Sequence, residues 1–115
     1  MNKRIQRVNQ LIQKELSSII LKEIEFPKDV LTTVTRVETS SNLIESKVYI
    51  STMPVEKTQK VLQILSRQIY ELQQKLNQRL QMRPIPKINF IEEKETSEAG
   101  RIEEILEKLR TSYRK

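Results

Sequence analysis

The 115-residue chain contains no cysteine, no histidine and no tryptophan, and it has a single glycine. Without cysteine it forms neither disulfide bonds nor thiolate metal sites, and nothing points to an oxidising compartment. Histidine is the usual acid–base group near neutral pH, and a loop that cradles phosphate through its backbone needs several glycines. These absences argue against an enzyme, a bound cofactor and a small-molecule substrate.

Carboxylates are the remaining candidates for metal or acid–base chemistry. The sole aspartate, Asp29, falls in a predicted turn, and short glutamate clusters lie at 92–95 and 103–104. Clustered carboxylates of this kind bind hard cations such as Mg²⁺. We favour the simpler interpretation, a solvated surface that balances nearby bases and holds no metal.

Long apolar runs are also missing. No stretch approaches the roughly 18 to 20 apolar residues that span a bilayer. Apolar and polar residues are mixed at the N terminus, so we expect no signal peptide. The length suits one domain with one modest core. We therefore expect a cytoplasmic monomer with a single domain over residues 1–110 and a disordered basic tail over 111–115.

The net charge of +6 is concentrated in two segments. Residues 54–87 carry seven Lys or Arg against two Glu, and residues 1–22 carry five bases against one acid. A single basic run is usually a solvated face. Two basic helical segments in one small domain instead favour a phosphate-rich partner.

The first half of the chain predicts a helix followed by a hairpin. Apolar residues recur at three- and four-residue steps between Ile5 and Ile20, which predicts an amphipathic helix over about residues 2–23. The runs Leu31–Val37 and Lys47–Ser51 are rich in β-branched residues and predict two antiparallel strands.

The second half predicts one long helix, a strand and a last helix. An apolar stripe from Val61 to Leu80 indicates a helix that begins near Pro54. Prolines 84 and 86 end it and lead into a third strand over 87–91. A last helix is predicted over about 97–113. The resulting fold class is α+β, with a three-stranded sheet packed on helices in the order α-β-β-α-β-α.

Aromatic residues are few, with three Tyr and two Phe. We assign Tyr49 and Phe90 to the core, so a platform for stacking several bases is not evident. Affinity for nucleic acid would then come mainly from backbone charge. This favours a structured RNA that is recognised by its shape.

Four blocks of sequence carry a resemblance to a known family. They are the entry helix from Arg4 to Ile20, the hairpin block 34–51, Met82–Phe90 and Arg101–Leu106. Over about residues 4–109 the chain resembles the bacterial ribosome-binding factor A family. The resemblance implies a single KH-like domain. It also implies a non-catalytic assembly factor that binds the small ribosomal subunit and its ribosomal RNA during late maturation.

One site departs from the family pattern. The family carries a small-residue kink, alanine-x-glycine, inside the long helix, and here Gln68-Ile69-Tyr70 occupies that place. Gln73 stands where the family often has arginine. We therefore expect a less kinked helix with Ile69 buried on the apolar stripe. We give little weight to an RNA contact over 68–73, and a break in the helix at these residues as they stand would give that contact more weight.

The candidate RNA-binding residues are bases on the exposed sides of the predicted helices. The first patch comprises Lys60, Arg67, Lys75, Arg79 and Arg83, and the second comprises Lys3, Arg4, Arg7 and Lys14. Arg83 precedes a proline and has an alternative role in fixing the helix-to-strand corner. Two other functions remain open: a membrane-surface module formed by the first amphipathic helix, and a protein–protein module that docks through the acidic last helix.

Overall fold

The computed structural model describes residues 3–94. In chain order the elements are α1 (Lys3–Glu23), β1 (Leu31–Thr39), β2 (Glu45–Met53), a short 3₁₀ turn (Val55–Lys57), α2 (Thr58–Arg67), α3 (Ile69–Arg79) and β3 (Lys87–Glu92). This order confirms the α+β prediction as far as the third strand. The predicted last helix and the tail over 111–115 lie outside the described residues.

The sheet has the order β1-β2-β3 and mixes two kinds of pairing. β1 and β2 are antiparallel, as predicted, with Leu31 opposite Met53 and Thr39 opposite Ser46. β3 runs parallel to β2, with Glu45 opposite Lys87. Parallel strands need a long crossover connection. Residues 54–86 supply it with α2 and α3.

Alternation along the strands separates an inner from an outer sheet face. In β2 the even positions Ser46, Val48, Ile50 and Thr52 are buried. The core lies between this inner face and the helices. α1 contributes Ile12, Leu16 and Ile19 to it, each at most 1% exposed. Full burial of one such side chain stabilises the fold by roughly 1.5 to 3 kcal/mol.

A β-bulge interrupts the pairing of β1 with β2 at Thr35. A bulge leaves backbone groups without ladder partners, and buried groups of that kind need hydrogen bonds. Gln13 of α1 supplies them, because its Nε2 donates to the carbonyl oxygens of Val34 at 3.1 Å and Thr35 at 3.2 Å. One glutamine thus fixes α1 against β1.

The prediction of one weakly kinked long helix is wrong. α2 ends at Arg67, Gln68 leaves the helical region with φ −106° and ψ 13°, and α3 begins at Ile69. The reason is tertiary packing. α2 packs its buried Val61 and Leu65 against β2 and β3, whereas α3 packs against α1 and β3. The break lets α2 and α3 pack in different directions. Gln68 leaves the helical conformation at a negative φ, which residues other than glycine also adopt, so the break needs no glycine.

Candidate nucleic-acid interface

The outer side of α2 carries two of the predicted contacts. Lys60 and Arg67 are both exposed, and their spacing of seven residues places them on one side of the helix. The opposite side is committed to the core through Val61 and Leu65, which are fully buried. Both cations therefore face solvent from a rigid element.

The two predicted contacts on α3 reach across to α1. The Lys75 Nζ lies 3.2 Å from the Glu23 carboxylate, and the Arg79 Nη1 donates to the Ser18 hydroxyl at 3.2 Å. An exposed ion pair of this kind stabilises a protein by less than about 1 kcal/mol. Lys75 and Arg79 can therefore give up these weak contacts with α1 and bind a partner instead, at little cost in stability.

These contacts also bring the two predicted patches together. Lys14 is exposed on α1, one helical turn from Ser18, so the Arg79 contact places cations of α3 beside a cation of α1. Lys3, Arg4 and Arg7 are exposed as well, but they occupy the far end of α1. Arg7 lies eleven residues from Ser18, a distance of about 16 Å along the helix. We call the exposed side of α1, α2 and α3 the helical surface.

The helix-to-strand corner is held by a residue that the charge pattern did not indicate. The Gln73 side chain accepts a hydrogen bond from the Ile88 N–H at 2.8 Å and donates to the Pro86 carbonyl oxygen at 3.1 Å. These bonds join α3 to the start of β3. Gln73 is therefore a clamp on the backbone, in the place where the resemblance suggested an RNA-binding arginine.

Arg83 lies exposed in the connection between α3 and β3. Within residues 3–94 its guanidinium takes part in no hydrogen bond or ion pair. It lines an open cleft with Leu80, Met82 and Ile85. Gln73 also holds this corner, and both interpretations of Arg83, phosphate contact and corner structure, remain predictions.

The outer sheet face holds a cluster that sequence reasoning missed. The Arg36 guanidinium lies 3.7 Å from the centroid of the Tyr49 ring, and its Nε donates to the Glu93 carboxylate at 2.8 Å. Thr35 donates to the same carboxylate at 2.8 Å. Arg36 also pairs with Glu38. The hydrogen bond that Arg36 donates to Glu93 raises the pKa of Arg36 above its ordinary value.

Two predictions fail at this cluster. The sequence assigns Glu93 to a solvated surface, yet its side chain is 3% exposed. It assigns Tyr49 to the core, yet this residue lies on the outer sheet face because Val48 and Ile50 point inward. Strand alternation was the available signal for Tyr49. The prediction for Phe90 is confirmed, since this side chain is partly buried against the core.

The membrane alternative for α1 has little support in the packing. The apolar side of α1, including Val8, Ile12 and Leu16, is buried against the sheet and α3. Within residues 3–94 no helix combines the length and the apolar character needed to cross a membrane. The part of α1 that remains accessible carries its basic residues together with Leu11 and Leu21, which are 38% and 85% exposed.

Comparison with known proteins agrees with the resemblance. A family model described as Ribosome-binding factor A matches residues 4–106. The Ribosome-binding factor A of Chlamydia abortus is 35% identical over 112 residues, covering 95% of this chain and 93% of that protein. The Nitrosococcus oceani protein of the same name is 31% identical over 106 residues, covering 91% of this chain and 84% of that protein.

A solved structure shares the fold. The crystal structure of ribosome-binding factor A from Thermus thermophilus superposes with a TM-score of 0.67 at 24% identity. The superposition covers 76% of this chain and 94% of that chain. At 24% identity this similarity supports the fold alone. Membership of the family is shown by the family model and by the sequence relatives.

Proposed function

Because the chain belongs to the ribosome-binding factor A family, we propose that it is a non-catalytic assembly factor that binds the small ribosomal subunit late in its maturation. The partner within the subunit is ribosomal RNA. The proposed contacts lie on the helical surface and at the corner before β3. They are Lys60, Arg67, Lys75, Arg79 and Arg83, with Lys3, Arg4, Arg7 and Lys14 as the second set.

The division of each helix between core and solvent carries this proposal. In α2, Val61 and Leu65 are buried while Lys60 and Arg67 are exposed. α1 buries one side in the same way and exposes Lys14. Cations held on packed helices suit an RNA backbone, because phosphate contacts position a protein without reading the sequence.

The break at Gln68 adds a geometric reason for a folded RNA partner. α2 and α3 differ in their packing partners, so we expect their cations, Lys60 and Arg67 on α2 and Lys75 and Arg79 on α3, to follow two lines. A folded RNA presents phosphates in more than one direction, and two lines of charge match it better than one. The exposed Arg67 lies at the break itself, beside Gln68. Gln73 is excluded from the contact set because its amide is committed to the backbone.

Sedimentation with purified ribosomal subunits tests the proposal. We expect the protein to migrate with small subunits, with immature small subunits preferred over mature ones. If about five phosphates are neutralised, the logarithm of the binding constant falls with the logarithm of salt concentration at a slope of roughly −3.5 to −4.5. A slope near zero contradicts the electrostatic account. Migration with large subunits instead contradicts the choice of partner.

A further inference from the structure

We propose that the open cleft between the end of α3 and the connection to β3 holds one unpaired RNA nucleotide, with its base in the cleft and its phosphate on Arg83. This inference rests on the proposed function and adds a base contact to it. The cleft has a volume of about 790 Å³, within the range of sites that take small ligands.

The lining of the cleft is mixed and more polar than apolar. Its apolar part comes from Met82 and Ile85, which are partly buried against the core, while Leu80 is 4% exposed and adds little. Such side chains make close contact with the flat face of a base. The cleft is also open to solvent along one side, which a nucleotide needs because its chain must enter and leave.

The side-chain amide of Asn77, which lines the cleft, has an orientation that is fixed through Gln73. Gln73 accepts from the Ile88 N–H and donates to the Pro86 carbonyl, so its amide cannot be reversed. Its Nε2 also donates to the Asn77 Oδ1 at 3.0 Å. The Asn77 oxygen is therefore an acceptor for Gln73, and its NH₂ group is left as a donor. Within residues 3–94 that NH₂ group has no hydrogen-bond partner, and Asn77 lines the cleft.

The orientation of Asn77 selects among bases. An NH₂ group offers two donors, and guanine presents two adjacent acceptors, O6 and N7. Adenine presents an acceptor beside its own amino group. A free asparagine reads adenine with both its oxygen and its nitrogen, but here Gln73 already uses one of the two lone pairs of that oxygen, whereas both N–H donors are uncommitted within residues 3–94. The cleft thus favours guanine over adenine.

Arg83 supplies the charge that a nucleotide needs at the rim. It is exposed and lines the same cleft. Arginine binds phosphate through two parallel N–H bonds. Base and phosphate contacts are then made by residues six positions apart on one corner of the fold, while Gln73 acts as the positioning residue behind them.

Two labelled RNA heptamers, AAAGAAA and AAAAAAA, test the assignment by fluorescence anisotropy at fixed salt. We expect the protein to bind AAAGAAA about fivefold more tightly, in keeping with one specific amide contact. Annealing AAAGAAA to its complement should remove this preference. Asn77→Asp keeps an oxygen for Gln73 but removes the donors, and should abolish the preference. Asn89→Asp makes the same charge change at an exposed position of β3 and should preserve it.

A nuclear magnetic resonance titration of the unmodified protein does not depend on how any variant folds. Addition of AAAGAAA should shift the side-chain NH₂ signals of Asn77 and leave those of Asn89 in place. Equal affinity for the two heptamers, or an unshifted Asn77 signal, overturns the cleft assignment even where binding to small subunits persists. Loss of binding to small subunits overturns the proposed function itself.

Discussion

Two ion pairs, one on the outer sheet face and one on the helical surface, show how burial decides what a cation does. Arg36 pairs with Glu93, whose side chain is 3% exposed, and lies against the Tyr49 ring. Lys75 pairs with Glu23 at 3.2 Å, but the two side chains are 41% and 45% exposed. Arg36 thus compensates the buried charge of Glu93, whereas both members of the Lys75–Glu23 pair are open to solvent. The outer pair therefore anchors the fold, whereas the helical pair leaves its cation available to a partner.

Removal of Arg36 should have the largest effect on stability. Arg36→Met removes the guanidinium that donates to the buried Glu93 carboxylate at 2.8 Å, and we expect the free energy of unfolding to fall by about 2 to 4 kcal/mol. Urea denaturation at neutral pH measures this loss. The double variant Arg36→Met/Glu93→Gln removes both charges and should recover a substantial part of it. A loss below about 0.5 kcal/mol in the single variant would place this pair in the same class as Lys75 and Glu23.

The clamp at Gln73 should have the next largest effect. Gln73→Leu leaves the Ile88 N–H and the Pro86 carbonyl oxygen without their side-chain partner, at a cost of about 1 to 3 kcal/mol in the free energy of unfolding. Gln74→Leu, at the exposed neighbouring position, is the matched control and should change stability by less than about 0.5 kcal/mol. Equal losses in the two variants would show that Gln73 is not a clamp.

Charge reversal on α2 should separate binding from stability. Lys60→Glu/Arg67→Glu changes exposed positions, so we expect stability to move by less than about 0.5 kcal/mol. Binding to small-subunit RNA should weaken, and the salt slope should become shallower by roughly 2. Lys47→Glu/Lys87→Glu applies the same charge change to exposed strand positions. If this control weakens binding as much as the α2 variant does, net charge governs affinity and the helical surface has no special role.

The sequence predicted features whose causes are local, and it missed those whose causes are distant. The α1 helix and the first two strands follow from the spacing of their own apolar residues, and the bounds of α1 agree with the prediction to within one residue. The buried state of Glu93 depends on Arg36, 57 residues earlier in the chain. The break at Gln68 accompanies the packing of α2 on β2 and β3 and of α3 on α1 and β3. No local pattern contains that information.

The candidate site divides in the same way. Amphipathic spacing correctly placed Lys60, Arg67 and Lys14 on exposed helix sides. It did not show that Lys75 and Arg79 contact α1, because those contacts depend on how α3 packs against α1. Their role in RNA binding remains a prediction.

Neutralising Glu23 should have a small effect that sharpens the contrast between the two ion pairs. Glu23→Gln removes the carboxylate beside Lys75, and its effect on stability should stay below about 1 kcal/mol because the pair is exposed. Lys75 then loses its competitor for phosphate, so RNA affinity should rise about two- to threefold at low salt, where exposed charges are least screened. Glu25→Gln makes the same charge change two residues away, at an exposed position outside α1, and reports the contribution of net charge alone. A larger gain for Glu23→Gln than for Glu25→Gln places Lys75 at the RNA interface. Equal gains would remove Lys75 from the contact set and leave Lys60, Arg67, Arg79, Arg83 and the cations of α1.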